Sequence, residues 1–451
     1  MTQSTLPGPT VTGPVNDAEP LPPVTSGRRS RLAAVDAIRG VALLGMIAVH
    51  SLDVSDAAGQ PTWSYTVFGG RAAAGFAVLA GVGIAFMTGR RRVRLAAGPG
   101  MAAMLGVRAL AIAVIGLMLG YADASLGVVI LPYYALMFVL AIPLVFLPTW
   151  AVGLVGVTAA VGVPALSHLL LPRLPEPVLA NVTVGRVVDD PVGLLTELSM
   201  TGPYPALPWM AYLCAGLVVG RLALATKRVA RRLFAVGSLL AVAAPAASWI
   251  LLERFGGRSE IYTAAPESGL TVAETRQLLA FGAEGTAPTS TWWWLAVDAP
   301  HTNTPLALLG TTGAVLALLG VLLLARHLAR PVLRGMVAVV QEPVAAAGSM
   351  PLTFYTVHIM FINSGHDIYR PVEGFLLQLT AVLLIGLAWR ATAGRGPLEG
   401  LIVMLTNRVR NWSPPVPRLR RSRPAAGADP IHDNPGGDEA ARQPVGSLTG
   451  S

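Results

Sequence analysis

Two ionisable residues, Arg39 and His50, stand inside an otherwise apolar stretch, Leu32-Ala-Ala-Val-Asp36-Ala-Ile-Arg39-Gly-Val-Ala-Leu-Leu-Gly-Met-Ile-Ala-Val-His50. On a helix their separation corresponds to about 1100° of rotation and about 16.5 Å of rise, so both fall on one face, about 20° apart. Asp36 precedes Arg39 by one turn and shares that face. Charge in a membrane span is costly, faces the protein interior and marks function. A cation near one surface and a titratable base near the other suggest a site used from both sides. The guanidinium fork of Arg39 suits a phosphate or pyrophosphate arriving from the cytoplasm. Asp36 and Arg39 equally read as a structural ion pair. His50 reads as a general base for an amine or hydroxyl, or as a hydrogen-bonded interfacial histidine, and Asp53, one turn on, could orient it.

Other polar residues gather at matching depths. His301, in His301-Thr-Asn-Thr-Pro305, stands where an outer loop re-enters the membrane, and His358, in Pro351-Leu-Thr-Phe-Tyr355-Thr-Val-His358, in the outer half of a span. A single such histidine reads as a packing residue with one interhelical hydrogen bond. Three at similar depth with His50 suggest a polar cavity, with His366 and Asp367 at its rim. Their spacing matches no zinc-ligand pattern, and no metal is expected. Arg71 and Arg108 are further embedded cations. Arg108, near the cytoplasmic entrance, could join Arg39 in holding phosphates, or snorkel to the headgroups.

The elements that must position these residues are helices in a bilayer. The chain has 451 residues, 53% hydrophobic and 13% charged, with mean hydropathy +0.59, in long apolar blocks. The fold class expected is an all-α, polytopic integral membrane bundle of about ten transmembrane helices, at roughly 33–52, 67–88, 101–122, 130–147, 150–171, 205–223, 233–252, 305–325, 343–363 and 372–390, each near the ~20 residues a bilayer needs. The domain limits expected are a disordered tail at 1–30, a membrane domain at 31–411 and a disordered tail at 412–451. The net charge of +9 sits in short clusters between alternate apolar blocks, which fits cytoplasmic-loop topology and not a nucleic-acid footprint, so no nucleic acid is expected as partner. The positive-inside rule places both termini in the cytoplasm and His50 toward the outside, in a multi-pass cell-membrane protein. The single cysteine, Cys214, excludes an intrachain disulfide. Residues 1–27 lack an apolar core, so the first span is expected to direct insertion. Thr271-Val-Ala-Glu274 has the capping-box pattern of a helix start, and Trp292-Trp293-Trp294 reads as an interfacial anchor in preference to a platform for a sugar. Gly81-Val-Gly83 reads as a small-residue helix contact. Asn181-Val-Thr183 fits a glycosylation sequon that is expected to go unused.

The segment from Arg31 through Asp36 and Arg39 to His50 resembles the opening of the transmembrane acyltransferases, most closely the bacterial relatives of heparan-α-glucosaminide N-acetyltransferase. Arg39 and His50 also match the arginine, ten residues, histidine pattern of the membrane acyltransferase-3 family. Tyr204-Pro-Ala-Leu-Pro-Trp209-Met-Ala-Tyr212 with Gly216 and Gly220-Arg221, and Ala299-Pro-His301-Thr-Asn-Thr304, are similar to the bacterial heparan-type branch. Met350-Pro-Leu-Thr353-Phe-Tyr355 and Gly396-Pro-Leu-Glu399 are similar to segments of a related uncharacterised bacterial membrane family. The resemblance runs from about 31 to 400. It implies an acyltransferase that moves an acetyl group from cytosolic acetyl-CoA to an extracytoplasmic glycan or glycolipid, with Arg39 on the cofactor side and His50 as the reactive outer histidine, either base or transient acetyl carrier. In the human-type enzyme the proposed reactive histidine lies in the loop after this span, and here the loop from Ser51 to Thr66 has none. The expected partners are the bilayer and the sugar acceptor, with a homodimer left open. The competing reading is a transporter or exporter of a small or lipid-linked molecule. It would be favoured by two pseudo-symmetric halves, and the enzyme by a tunnel joining Arg39 to His50.

Overall fold

Ala, Gly and Leu dominate the apolar blocks, so the helices approach closely and bury backbone against backbone. The computed structural model describes residues 33–412. Among these, all regular elements are helices. The tails expected at 1–30 and beyond Trp412 lie outside the described residues. The main helices are α1 (Ala33–Ser51), α2 (Arg71–Met87), α3 (Gly98–Leu119), α4 (Leu131–Leu144), α5 (Thr149–Arg173), α6 (Ala206–Gly220), α7 (Lys227–Arg254), α8 (Val272–Phe281), α9 (Pro305–Ala325), α10 (Pro331–Ala347), α11 (Pro351–Ile362), α12 (Pro371–Thr392) and α13 (Pro397–Trp412).

Seven of these segments are long and apolar enough to cross a membrane, or eight if α10 and α11 together make one span. The expected count of about ten is reached only with α4 and α6. These have 14 and 15 residues, about 21–23 Å at 1.5 Å per residue, against about 30 Å of hydrocarbon.

The span expected at 343–363 is a correction. It is two helices meeting at 70°, because Pro351 opens α11 and Met350 leaves the helical region at φ −139°. The bend is also fixed from outside. A Cβ on Gly348 would lie 1.9 Å from the Asp36 carbonyl oxygen, and one on Gly40 would lie 2.0 Å from that of Val344. Only glycine lets α10 and α1 touch there. The same reciprocal contact joins α2 to α6: a Cβ on Gly81 would meet Leu213 O at 2.1 Å, and one on Gly216 would meet Val78 O at 1.8 Å. Gly81 thus makes the helix contact expected of it.

A break between two apolar helices leaves backbone N–H groups to satisfy. Glu399 of α13 does this for α11: its Oε1 accepts from Leu352 N at 2.7 Å and Thr353 N at 3.2 Å, and its Oε2 from Thr353 Oγ1 at 2.6 Å. Thr353 Oγ1 in turn accepts from Leu398 N at 3.2 Å. The Met350-Pro-Leu-Thr353 and Gly396-Pro-Leu-Glu399 segments are therefore the two halves of one reciprocal cap.

The long loops contain short helices of their own. Thr271 and Glu274 form the expected capping box of α8. The three tryptophans do not act alike: Trp292 is exposed, whereas Trp294 is fully buried in a small core with Leu252, Ile261 and Val297. Asn181 of the sequon is buried, accepting from Val129 N at 2.7 Å and donating to Ala122 O at 2.9 Å.

Candidate active site

A single cavity of about 430 Å³ runs from Arg39 to His50 along the face they share. The walls between them are apolar, with Met46, Phe76, Leu79, Ile84, Ile112 and Phe138 among the lining side chains. The 3.6-residue period that brought Arg39 and His50 into line holds in the structure, because α1 is unbroken from Ala33 to Ser51.

At the Arg39 end the cavity is also lined by Arg108 of α3 and Glu399 of α13. Arg39 Nη1 donates to Asp36 Oδ1 at 3.0 Å, so Asp36 holds one edge of the guanidinium and is not itself part of the cavity wall. Arg108 lies over the Phe138 ring, 5.0 Å from its centroid. Its Nε is buried without a protein hydrogen-bond partner. Such an atom carries a desolvation cost that an anion in the cavity would offset. Two guanidinium groups and an unmet donor form a site suited to phosphate oxygens.

At the other end, His50 Nδ1 lies 2.9 Å from His358 Nε2, and His358 Nδ1 lies 2.6 Å from Gln378 Oε1. Gln378 Nε2 donates to Ser51 Oγ at 3.1 Å. His358 and Gln378 are buried and do not line the cavity, whereas His50 does. Asp53 is not the group that orients His50. The helix ends at Ser51, Asp53 lies exposed beyond it, and the His50 Nδ1 position is occupied by His358. His366 and Asp367 are also exposed, outside the cavity lining.

His301 completes this end. The turn that carries it is built by its own motif. Thr302 Oγ1 donates to Ala299 O at 2.8 Å, Thr304 Oγ1 donates to Val297 O and accepts from Ala307 N to cap α9, and Asn303 Oδ1 accepts from Trp209 Nε1 at 2.7 Å. These bonds hold His301 and Asn303 at φ +55° and +51°, a strained region for side-chain-bearing residues. The imidazole meets the Tyr204 ring edge-on, with centroids 5.4 Å apart. Burial pushes the His301 imidazole down to about 4.

His301, Tyr204 and Val128 also line a wider, more open cleft of about 1050 Å³, whose walls include Tyr65, Glu176, Gln277 and Glu284. These three residues form the neck between cavity and cleft. Arg71 lies away from the Arg39 end: its Nη1 donates to Thr66 O, and it lines a small pocket with Asp298, Tyr212 and His301.

Sequence reasoning missed Gln378 and Tyr134, and named Glu399 and Tyr355 only within motifs, with no role at the site. Gln378 had a signal, as the one amide in a span of apolar residues. The Tyr355 contact had none, because its partner Ile130 N, at 3.2 Å, is 225 residues away.

A search of curated proteins gives no match to the chain. Residues 31–249 match the family model described as heparan-alpha-glucosaminide N-acetyltransferase, catalytic. That stretch carries Arg39, His50, Arg108 and Tyr204, while His301, His358, Gln378 and Glu399 come from beyond it. Over residues 31–249 the chain is similar to the catalytic domain of the heparan-alpha-glucosaminide N-acetyltransferases.

Proposed function

We propose that the protein takes acetyl-CoA from the cytoplasm at the Arg39 end and transfers its acetyl group to an amine or hydroxyl of an extracytoplasmic glycan or glycolipid at the His50 end. The observation that carries this reading is the single cavity lined by both Arg39 and His50. Arg39 and Arg108 would hold phosphate oxygens, with the unmet Arg108 Nε as a ready donor. The apolar middle of the cavity suits the thin, uncharged pantetheine arm, and the acceptor would enter through the cleft and pass the Tyr204–His301 neck.

In the transfer step His50 removes the acceptor's proton as that nitrogen or oxygen attacks the thioester carbonyl. The C–S bond breaks, CoA leaves as a thiolate, and His50 can return the proton to the sulfur. The family match supports acetyl transfer as the reaction class. A transporter would also need a cavity, but it has no evident use for paired guanidinium groups at one end and a hydrogen-bonded histidine pair at the other.

The test is sealed vesicles with the cytoplasmic face outward, given acetyl-CoA labelled in the acetyl group. Label should appear on glycan or lipid in the vesicle lumen and vanish with His50→Ala. Absence of His50-dependent label in the lumen would overturn the proposal.

A further inference from the structure

The hydrogen bonds behind His50 form a directed chain, and the direction decides which nitrogen of His50 carries a lone pair. Gln378 is bonded at both ends of its amide, Nε2 to Ser51 Oγ at 3.1 Å and Oε1 to His358 Nδ1 at 2.6 Å. An amide oxygen only accepts, so with Oε1 toward the ring His358 Nδ1 carries the proton. In neutral His358 that leaves Nε2 as the acceptor, and the 2.9 Å contact to His50 Nδ1 then requires the proton on His50 Nδ1. The two rings are 5° from parallel with centroids 5.2 Å apart. The N···N contact therefore runs along the line joining the rings, as an in-plane hydrogen bond needs. What remains is the lone pair of His50 Nε2, on a ring that lines the cavity.

Burial fits this assignment. Gln378 and His358 are 8% and 3% exposed, so water does not compete for their bonds, whereas His50 opens on the cavity. Gly127 lies over the face of the His50 ring, where a Cβ would come within 3.3 Å of Nε2 and Cε1 and 3.6 Å of Nδ1, so a side chain there would press on the imidazole.

We infer that Gln378 and His358 are positioning residues that hold His50 in the Nδ1–H tautomer, so that Nε2 is the atom that takes the acceptor's proton. The inference deepens the acetyl-transfer reading and rests on it for the identity of that proton. When His50 becomes the imidazolium, its Nδ1–H stays bonded to His358 Nε2, and Gln378 Oε1 keeps His358 from turning away. Gln378 cannot itself carry the proton, so the charge stays on the histidine pair until the leaving thiolate takes the proton. The titratable groups that face the pair are His301 from the loop before α9, and the phenols of Tyr134, Tyr204 and Tyr355 lining the same cavity.

The test is solid-state nitrogen NMR on protein labelled with ¹⁵N at its seven histidines, held in lipid nanodiscs, with His50→Asn and His358→Asn to assign signals. CoA release from acetyl-CoA, with glucosamine as the probe acceptor, is followed in parallel. Wild type should show His50 protonated at Nδ1 and bare at Nε2. Gln378→Leu should populate the other tautomer and lower kcat roughly tenfold or more, with KM for acetyl-CoA unchanged. Gln378→Glu keeps an acceptor in place and adds a charge that favours the protonated pair. It should retain the tautomer and move the acid limb of the pH–kcat profile up by about one unit or more.

A wild-type His50 protonated at Nε2 would overturn the inference, since a reversed amide reverses every donor in the chain. So would a Gln378→Leu protein with the tautomer unchanged, or equal loss of rate in both Gln378 variants at every pH. Wild type with the expected tautomer but no CoA release would support the chain and overturn acetyl transfer instead.

Discussion

Replacing Glu399 separates what holds the Arg39 end together from what binds there. Its carboxylate accepts three hydrogen bonds at the start of α11, from Leu352 N, Thr353 N and Thr353 Oγ1. Charge-assisted bonds contribute about 1.5–3 kcal/mol each, and a lost helix cap costs about 0.5–2 kcal/mol. Glu399 is half-buried on the cavity wall, so water can replace part of what is lost, and the three bonds share one partner and do not add. Glu399→Ala should therefore cost about 2–3 kcal/mol. Glu399→Gln keeps one acceptor oxygen and should cost about 1–2 kcal/mol.

Cys214 supplies the assay, as the chain's single cysteine, buried in α6 at 0% exposure. A thiol-reactive fluorogenic dye then reports unfolding on heating, and both variants should react at lower temperature, Ala before Gln. CoA affinity should move the other way or stay put, because Glu399 shares its end of the cavity with Arg39 and Arg108, and removing a negative charge favours phosphate. Unchanged stability in Glu399→Ala would refute the reciprocal cap. A tenfold loss of CoA affinity in a well-folded Glu399→Gln would refute the division of roles.

The other predictions follow from equally specific contacts. Gly348→Ala places a Cβ 1.9 Å from Asp36 O and must push α10 from α1, costing about 1–3 kcal/mol in the same dye assay. Gly335→Ala, with nothing within 4 Å, should be tolerated, and equal tolerance of both would refute the close contact. Asn181→Ala strands Val129 N and Ala122 O and should cost about 1–3 kcal/mol, with an unchanged melting point as the contrary result. Burial lowers His301 from 6.5 to about 4, so between those values the unfolded chain binds more protons than the folded one. Its contribution is fully present above 6.5 and is lost as pH falls toward 4, so amide protection in the turn around 297–304, taken relative to the intrinsic exchange rate at each pH, should fall over that window. His301→Gln should flatten the dependence, and an unaltered pH response would count against the buried neutral imidazole.

How much of this was legible in the sequence depends on the range of the interaction. Arg39 and His50 belong to one helix, so their common face follows from helical geometry alone. Apolar blocks located the helices, because burial in lipid leaves the backbone no other regular choice among unclosed structures. The bend between α10 and α11 was written less plainly. Pro351 signals a helix start, but the tight contacts of Gly40 and Gly348 that set the bend are visible only once α1 and α10 are side by side. His301 and His358 were singled out by type and depth. That His358 contacts His50 directly, 308 residues away, and that Asp53 does not, follows from tertiary packing and from a helix that stops at Ser51. Glu399 was noticed as part of a motif, yet its acceptors' partners lie 46–47 residues distant, beyond any local pattern.

The central claim, one cavity with two unlike ends, is tested most directly by titrating CoA into purified Arg39→Ala and His50→Ala while measuring turnover of each. Arg39→Ala removes a charge-assisted phosphate contact of about 1.5–3 kcal/mol and should weaken CoA roughly 10–150-fold. His50→Ala should bind CoA almost as wild type does and transfer nothing, because a base about 16.5 Å up the helix acts on the reaction and not on the phosphates. Equal loss of CoA affinity in the two variants, or undiminished transfer by both folded proteins, would contradict the account and leave the pair as a structural feature of the bundle.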